Sequence, residues 1–437
     1  MNRYERYKDS GIPWLGEVPE HWDTMSLKYI CDVRDGTHDT PQYVYESDNS
    51  YPLVTSKDIS NGNINFESAK FISEEDYLNI SKRSNVNYGD LLMPMIGTVG
   101  GSVLVETYRK FTIKNVALFK AGQFCAKWLK YFLDSELSKI QFELEKNGGV
   151  QDFVGLTTLR NLIILKLPLK EQTAIAHYLD TKLGEIDALI DKQQTLLEKL
   201  AEQRTAVITH AVTKGLNPAA PMKKSGVEWL GDVPAHWSII QFRRVVENIK
   251  DGTHGTHSRE NNGFPLLSAK NVFNDGIHIH DNESQISEED YKLITSNGFP
   301  KKNDLLITCV GSIGRCCIYP FDTPFAFQRS VAFLRLNKNA VPQFYKYFVE
   351  STCYQEQLKA NVKLSIQGGV YLGTLISMYA ILPTKEEQTS IAGYLNQETA
   401  KIDRLCETVN QTIGRLKEYR TALITQAVTG KIKVTDE

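Results

Sequence analysis

Two long stretches of the chain carry apolar residues at the seven-residue spacing of a coiled coil. In the first stretch, Leu179 and Ile186 are followed in the same register by Gln193, Leu200 and Val207. In the second, apolar residues hold the equivalent register without a polar break, at Leu395, Ile402, Val409, Leu416 and Leu423. Heptads sustained in this way predict two coiled-coil helices, each ~65 Å long, within residues 166–217 and 383–437.

Two arrangements of these helices are consistent with the pattern. They could pair with each other as antiparallel helices, which buries both apolar seams, or each could pack on its own globular region as a surface helix. Gln193 could fix the register of a coiled coil or face solvent at a bend. Pro168 and Pro383 mark the helix starts, and Gly215 and Gly430 mark the ends.

The remaining segments, 1–165 and 218–382, contain short apolar runs between clusters of Gly, Asn and Asp. This pattern predicts β-strands joined by turns, at 51–55, 90–96, 102–105 and 116–119 in the first segment. A helix is expected to follow the strands at 126–144, and its counterpart at 343–358. The predicted class is therefore α+β, with two globular domains alternating with two helical regions.

The chain is an internal duplication with an offset of 214–216 residues. The opening motif Ser10-Gly-Ile-Pro-Trp-Leu-Gly-Glu-Val-Pro-Glu-His-Trp22 returns as Ser225-Gly-Val-Glu-Trp-Leu-Gly-Asp-Val-Pro-Ala-His-Trp237. Its tryptophans, Trp14, Trp22, Trp229 and Trp237, are interpreted as packing anchors between each domain and the helices. The first helix leads directly into the second opening motif. Equivalence of the copies therefore predicts pseudo-two-fold symmetry, with Gly430 beside the first opening motif.

Composition limits the class of protein without naming a function. The formal net charge is −2, so any binding of nucleic acid must use local basic patches or a more basic partner. No apolar stretch approaches the ~20 residues of a membrane span, and the start has no apolar signal core, so we expect a cytoplasmic protein. The seven cysteines form no Cys-x-x-Cys pair and are expected to be reduced, mostly buried thiols.

A search for catalytic motifs finds none. The chain has no phosphate-binding Gly-x-x-x-x-Gly-Lys-Ser/Thr loop, no Gly-x-Ser-x-Gly elbow and no Asn/Asp-Pro-Pro-aromatic signature of amino-methyltransferases. His254 and His257 could suggest a metal. However, Pro41 holds the position matching His257, so the pair is not duplicated and a metal is not expected.

A duplicated Asp-Gly-Thr-His loop is the strongest candidate for binding. The sequence Asp35-Gly-Thr-His38 returns as Asp251-Gly-Thr-His254, and each copy is surrounded by side chains that form hydrogen bonds. Such loops suit contacts to base edges or phosphates, but a purely structural turn with His capping a nearby carbonyl is equally consistent. The candidates at these loops are Arg34, His38, Thr40, Gln42, Tyr43, Lys250, His254, His257 and Arg259.

Further candidates lie where the two copies diverge. Two Gly-x-x-Gly turns, 97–100 and 311–314, predict a close backbone approach between strands and make weak phosphate cradles. Downstream of them the copies carry different polar residues, among which Arg and Gln can pair bidentately with guanine and adenine. Solvated surface charge is the alternative for this set, which comprises Arg109, Lys110, Lys114 and Asn115 in the first copy and Gln328 and Arg329 in the second.

Taken together, these motifs resemble the specificity subunit of type I restriction-modification systems over essentially the whole chain. The resemblance rests on the paired opening motifs, the Asp-Gly-Thr-His loops and two helix sequences. These helix sequences begin with Lys170-Glu-Gln-Thr-Ala-Ile-Ala176 and Glu386-Glu-Gln-Thr-Ser-Ile-Ala392 and end in Arg-Thr-Ala-x-Ile-Thr-x-Ala-Val-Thr. It implies target-recognition domains at 1–165 and 218–382, and conserved helical regions at 166–217 and 383–437.

The resemblance also implies a function and partners. A specificity subunit has no catalytic centre; it binds double-stranded DNA and two modification subunits, which hold S-adenosylmethionine and methylate adenine N6. Restriction subunits using ATP and Mg²⁺ complete the complex, so no cofactor is expected in this chain. The alternative class is a non-catalytic scaffold with two interaction modules on a coiled-coil spacer. A fused restriction enzyme is opposed by the missing motifs.

Overall fold

The computed structural model describes residues 3–60, 62–96, 101–120, 122, 124–144, 153–362 and 368–434. The chain divides into two compact units. The first unit comprises Met1–Gln193 and Gln411–Glu437, and the second comprises Gln194–Asn410. Each unit therefore contains one copy of the repeat together with part of both long helices. None of the helices that the structure describes combines the length and the hydropathy that a membrane span requires.

The strands of the first unit are β1 (Tyr7–Asp9), β2 (Glu17–Pro19), β3 (Asp23–Ser26), β4 (Asp32–Asp35), β5 (Tyr43–Val44), β6 (Ser50–Thr55), β7 (Ile59–Ser60), β8 (Asn63–Ile64), β9 (Lys70–Ser73), β10 (Leu91–Pro94), β11 (Val103–Leu104), β12 (Thr112–Lys114), β13 (Val116–Lys120) and β14 (Ile163–Lys166). They form two four-stranded sheets, ordered β11-β10-β13-β4 and β12-β6-β9-β5, in which only β12 and β6 run parallel. Four predicted strand positions are confirmed by β6, β10, β11 and β13. The helices are α1 (Glu74–Ser84), α2 (Ala126–Leu133), α3 (Glu136–Leu144), α4 (Leu156–Asn161) and the long α5 (Leu169–Lys214).

The strands of the second unit are β15 (Met222–Lys224), β16 (Asp232–Pro234), β17 (Ser238–Gln241), β18 (Val246–Asp251), β19 (Phe264–Leu267), β20 (Val272–Phe273), β21 (Gly276–Ile277), β22 (Gln285–Ile286), β23 (Leu305–Thr308), β24 (Cys316–Ile318), β25 (Ala326–Phe327), β26 (Val331–Leu336) and β27 (Tyr379–Leu382). They form sheets ordered β18-β26-β23-β24 and β22-β19-β25, with a parallel β19–β25 pair. This is the strand order of the first unit, except that the second sheet has three strands where that of the first unit has four. Its helices are α6 (Glu288–Thr295), α7 (Pro342–Glu350), α8 (Thr352–Asn361), α9 (Leu372–Ser377) and the long α10 (Lys385–Val428). The shared strand order confirms that the repeat is a duplicated α+β domain.

The long helices α5 and α10 pack together and run antiparallel. In the first unit, Arg420 of α10 lies 3.1 Å from Asp187 of α5; in the second, Arg204 of α5 lies 3.4 Å from Asp403 of α10. Numbering rises along one helix as it falls along the other, which requires opposite directions. Some predicted seam residues lie in the same cores as residues of the globular regions: Leu179, Ile186, Leu395 and Leu423 are buried there, and Val207 and Leu416 are partly buried against them. Leu200, Ile402 and Val409 are buried but belong to neither core, and Gln193 is half-buried. Pairing and packing on the domain therefore occur together.

The end of α10 lies against the first opening motif, as the duplication predicts. The Tyr7 hydroxyl donates to the Gly430 carbonyl at 2.9 Å, and the Lys431 ammonium donates to the Glu17 carbonyl. The second unit has the same junction, since Lys214 donates to the Asp232 carbonyl. Within each unit, the end of a long helix therefore lies beside an opening motif.

The predicted single helices at 126–144 and 343–358 are wrong, because each is two helices. In the first unit α2 ends at Leu133 and α3 begins at Glu136; in the second, α7 ends at Glu350 and α8 begins at Thr352. A serine lies at each break, and its hydroxyl donates to the carbonyl of the preceding turn. Ser135 bonds to Phe132 at 2.6 Å and Ser351 bonds to Phe348 at 2.5 Å. Serine competes for backbone groups in this way, which favours helix ends over helix interiors.

Candidate nucleic-acid interface

The first Asp-Gly-Thr-His loop is held against the segment that joins β12 and β13. The Gly36 amide donates to the Val116 carbonyl and the Thr37 amide to the Ile113 carbonyl, both at 3.0 Å. A Cβ added at Gly36 would lie 2.1 Å from the Ile113 carbonyl oxygen, inside any normal contact distance. Glycine is required here because the two backbones touch.

The second loop is held in the same way against the segment between β25 and β26. The Gly252 amide donates to the Val331 carbonyl at 3.2 Å, and the Thr253 amide donates to the Phe327 carbonyl at 2.8 Å. A Cβ at Gly252 would lie 2.2 Å from the Phe327 oxygen. The duplicated motif therefore produces the same backbone arrangement in both units, in which residues 35–38 or 251–254 are held against the residues that follow β12 or β25. We call this arrangement the loop frame.

In both loops the histidine is anchored on the aspartate three residues before it, and not on a carbonyl as the structural alternative supposed. The distance from His38 Nε2 to Asp35 Oδ2 is 2.9 Å, and that from His254 Nε2 to Asp251 Oδ2 is 2.8 Å. Asp35 is buried and also pairs with Arg83. Both histidine side chains remain more than half exposed, so the anchoring orients a ring that solvent or a ligand can reach.

His257 takes a different role from the loop histidines. Its Nε2 lies 2.8 Å from the Thr253 hydroxyl and its Nδ1 lies 2.9 Å from Asp290, and its side chain is only 9% exposed. Both ring nitrogens are therefore occupied within the second unit. His257 braces the loop from inside and is not a good candidate for contact with a base. The neighbouring Arg259 and Lys250 are exposed.

The first loop borders an open cavity of about 920 Å³. Of the candidates, the structure brings Tyr43, Lys114 and Asn115 to this cavity, and Thr40 to its edge through a hydrogen bond from Lys114. Two further lysines in its lining, Lys57 and Lys70, were missed by the sequence reasoning.

A signal for one of the missed lysines was present in the repeat. Lys57 recurs as Lys270 in the second copy, in the equivalent turns after β6 and β19. Lys70 has no such signal, but its ammonium lies 4.4 Å from the centre of the Tyr43 ring. Among the described residues, neither Lys57 nor Lys70 makes an ion pair. With Lys114 they place three lysines in a lining that contains one carboxylate, that of Asp58.

Other candidates of the first unit lie outside the cavity lining. Arg34 pairs with Asp32 at 2.6 Å, and Arg109 pairs with Glu46 at 3.7 Å while lying over the Phe66 ring. Both arginines therefore use their charge in contacts within the first unit. Gln42 and Lys110 are exposed on the same unit.

The second loop borders a smaller cavity of about 480 Å³. Its polar lining includes Asp251, His254, Arg329 and Tyr371. Of the two candidates downstream of β25, Arg329 reaches this cavity and is exposed, while the Gln328 side chain is half-buried and does not line it. Tyr371 is mostly exposed and was not predicted from the sequence.

The glycine turns differ from their prediction where they can be compared. Residues 97–100 lie outside the described residues. In the second turn, Gly314 has φ +86°, and an added Cβ would lie 2.6 Å from Gln355 and 2.8 Å from Leu358 on α8. The close approach is therefore between a turn and a helix, and not between two strands.

The His-Trp pairs of the opening motifs bind the glutamates that begin the long helices. The Trp22 indole donates to Glu171 at 3.0 Å, and the Trp237 indole donates to Glu387 at 3.1 Å. Both indoles are buried, which confirms two of the predicted anchors. Trp14 is partly buried against the first core, but Trp229 is 39% exposed, so the anchor prediction is wrong for Trp229.

The carboxylate of Glu387 is stabilised in its charged form at this junction. Burial, the largest influence, raises the pKa of Glu387, but hydrogen bonds from His236 and Trp237 outweigh it. The pKa of Glu387 therefore lies below its usual value. The corresponding Glu171 accepts from His21 at 2.7 Å and from the Tyr4 hydroxyl at 3.0 Å.

The described residues contain no cluster of three or more His, Cys, Asp or Glu suited to a metal ion. Five of the seven cysteines are buried and all are free thiols, as the sequence predicts. Burial raises the pKa of Cys31 and of Cys309 to about 12. These thiols are therefore packing residues and not nucleophiles.

Comparison with known proteins points to one family. A family model described as the type I restriction modification DNA specificity domain matches residues 19–199 and 237–415. The type I restriction enzyme EcoBI specificity subunit of Escherichia coli is 26% identical, over 97% of this chain and 89% of the relative. The MjaVIII specificity subunit of Methanocaldococcus jannaschii is 23% identical, over 95% and 94%. A chain from a solved structure on complex assembly and conformational transition of the type I R-M system shares the fold, with a TM-score of 0.69, 16% identity and coverage of 95% and 99%.

Proposed function

This chain belongs to the family of type I restriction-modification DNA specificity domains, and we propose on that basis that it selects the DNA target of a type I restriction-modification complex. The single observation that carries the proposal is that the specificity-domain model matches both copies of the repeat. Each copy then recognises one half of a bipartite target, and neither performs chemistry.

The two loop surfaces are the proposed sites of DNA contact. In the first unit, Lys57, Lys70 and Lys114 line the cavity beside the loop and suit contacts to phosphates, which position the protein without reading sequence. His38, Thr40, Tyr43 and Asn115 supply hydrogen-bonding groups at the same place. The second unit offers basic and hydrogen-bonding side chains at its own loop, from Lys250, His254, Arg259 and Arg329.

The partners follow from the same assignment. We propose that two modification subunits bind this chain, hold S-adenosylmethionine and methylate adenine N6, and that restriction subunits supply the ATP- and Mg²⁺-dependent activity in the cytoplasm. Large apolar side chains left exposed on the long helices suit contacts with such subunits. These side chains are Leu189 and Tyr419 in the first unit and Leu196 and Leu405 in the second.

Salt-dependent DNA binding tests this function. We expect the chain, assembled with its modification subunit, to bind duplex DNA, and the double variant Lys57→Gln/Lys70→Gln to weaken binding equally on all sequences. Loss of two phosphate contacts should reduce the slope of log K against log salt by about 2. Lys182→Gln is the matched control, because Lys182 pairs with Glu185 on α5 outside the cavity. Absence of DNA binding by the wild-type complex would favour the scaffold alternative instead.

A further inference from the structure

One position in the conserved loop frame carries a different side chain in each unit. The Asn115 amide donates to the Thr37 carbonyl at 3.2 Å, and the Arg329 amide donates to the Thr253 carbonyl at 3.0 Å. The preceding residues form the same parallel bridge, Thr37 with Lys114 and Thr253 with Gln328. Asn115 and Arg329 therefore hold the same position relative to their loops, beside the loop histidine. The second copy has one more residue before the next strand, since Met95 donates to the Asn115 carbonyl whereas Cys309 donates to the Ser330 carbonyl.

The first unit fixes the Asn115 side chain in one orientation. Its backbone is left-handed, with φ 54°, a conformation that asparagine tolerates better than most residues. Its carbonyl accepts from the Ser56 hydroxyl at 2.9 Å, and its side-chain oxygen lies 3.0 Å from His38 Nδ1. Since His38 is itself held by buried Asp35, the amide plane is set by a chain of contacts that begins inside the domain.

In this orientation the Asn115 side chain keeps an acceptor and a donor available for the groups of adenine. The Asn115 oxygen has a second lone pair beyond the one facing His38, and its NH2 group has no partner among the described residues. Adenine offers an N6 donor and an N7 acceptor on its major-groove edge, which together match an amide oxygen and an amide NH2. The contact to His38 therefore positions the amide for this pair and does not compete with it.

Arg329 presents the complementary chemistry in the second unit. It is exposed at the cavity beside His254, and among the described residues its guanidinium makes no ion pair. Guanine offers two acceptors, O6 and N7, which match two donors of one guanidinium. A free guanidinium at the position where the other copy has a carboxamide would read a different base through the same frame.

We propose that Asn115 reads an adenine in the half-site bound by the first unit, and that Arg329 reads a guanine in the half-site bound by the second. The inference rests on the proposed DNA-specificity function and adds the base and the residue that selects it. His38 and Asp35 are positioning residues for the first contact. Gly36 and Gly252 allow the close backbone approach beside which each of these two residues lies.

The test is methylome sequencing of cells that contain the modification subunit and one variant of this chain. Arg329→Lys keeps the positive charge but loses the bidentate geometry. We expect it to relax a single guanine in one half-site, with discrimination falling about 5- to 100-fold, while total DNA affinity changes little. Arg404→Gln, an exposed arginine of α10 outside the cavity, is the control and should leave the target unchanged.

For the first unit, Asn115→Asp keeps the left-handed backbone and nearly the same shape. We expect it to abolish the preference for one adenine, because a carboxylate accepts but cannot donate to N7. Thermal melting of each variant should match wild type, which separates altered reading from unfolding. Asn115→Gly is a second variant for the first unit. We expect it to relax the base preference at the same single position of the target.

The outcomes separate this inference from the function on which it rests. If folded variants at both positions methylate the wild-type target unchanged, the assignment of readers is overturned while the specificity function stands. A variant that alters bases in the opposite half-site, or several positions at once, also overturns it. If the wild-type chain confers no defined methylation target, the proposed function itself fails.

Discussion

Replacing Gly36 with alanine should disrupt the first loop frame while leaving the rest of the chain folded. The added Cβ would lie 2.1 Å from the oxygen and 2.4 Å from the carbon of the Ile113 carbonyl, and 2.9 Å from the Lys114 nitrogen. All three are backbone atoms of a strand, so no side-chain rotation can relieve the contact. The loop must move by about 1 Å to restore normal distances.

The cost of that movement follows from the contacts at the frame. Overpacking of this kind costs about 1–3 kcal/mol, and each hydrogen bond lost costs about 1 kcal/mol more. Two such bonds, from the Gly36 and Thr37 amides, hold the loop in place. We therefore expect Gly36→Ala to lower the free energy of unfolding of the first unit by about 3–5 kcal/mol, measured by urea denaturation followed by circular dichroism.

Gly184→Ala is the matched control, because Gly184 lies inside α5 and an added Cβ would meet nothing within 4 Å. The control should raise stability by up to about 1 kcal/mol, since alanine favours a helix over glycine. In the assembled complex, Gly36→Ala should also reduce base discrimination in the half-site bound by the first unit, and leave the other half-site unchanged. If the unfolding free energy of Gly36→Ala stayed within about 0.5 kcal/mol of wild type and the DNA target were unchanged, the close approach of the two backbones would not require glycine at this position.

Two further predictions concern the junction and the helices. The pKa of Glu387 is lowered in the folded chain, so its stabilising contribution is present above its ordinary value of 4.5 and is lost as pH falls through the folded pKa. Glu387→Gln should lower the free energy of unfolding by about 1 kcal/mol at pH 7 and flatten the acid limb of a curve of stability against pH. An unchanged acid limb would exclude a stabilising role for the contact between Glu387 and Trp237. Insertion of a few residues between Lys192 and Leu200 should lengthen the non-specific spacer of the DNA target, at ~1.5 Å per residue against ~3.4 Å per base pair. A graded series of insertion lengths, read out by methylome sequencing, tests this dependence. If every tolerated insertion kept the original spacer, the helices would not set the spacer length.

The helices were predictable from the sequence because their signal is local and repeated. The heptads from Leu179 to Val207 place apolar residues on one face whatever the rest of the chain does, and α5 extends from Leu169 to Lys214 as expected. The breaks at Ser135 and Ser351 were not predicted, because the apolar pattern continues through them. There a single hydroxyl competing for a backbone carbonyl decides the outcome.

The candidate site was predictable only in part, for a similar reason. The duplicated Asp-Gly-Thr-His loops stand out because the repeat preserves them, and the structure shows the backbone contact that requires their glycine. Lys70 lies in a strand distant in sequence from the loop and joins it only through the fold. His257 resembles a ligand-binding histidine in sequence, yet its tertiary contacts with Thr253 and Asp290 place it inside the domain.

We propose that the two units read unlike half-sites of one split DNA target. The residues that follow the common frame differ between the copies, most clearly at Asn115 and Arg329. The most direct measurement is methylome sequencing of a strain whose only modification activity comes from this chain with its modification subunit. We predict methylated adenines within a bipartite, asymmetric sequence that is interrupted by a non-specific spacer of fixed length. A palindrome, a single contiguous motif or the absence of any defined target would contradict the account.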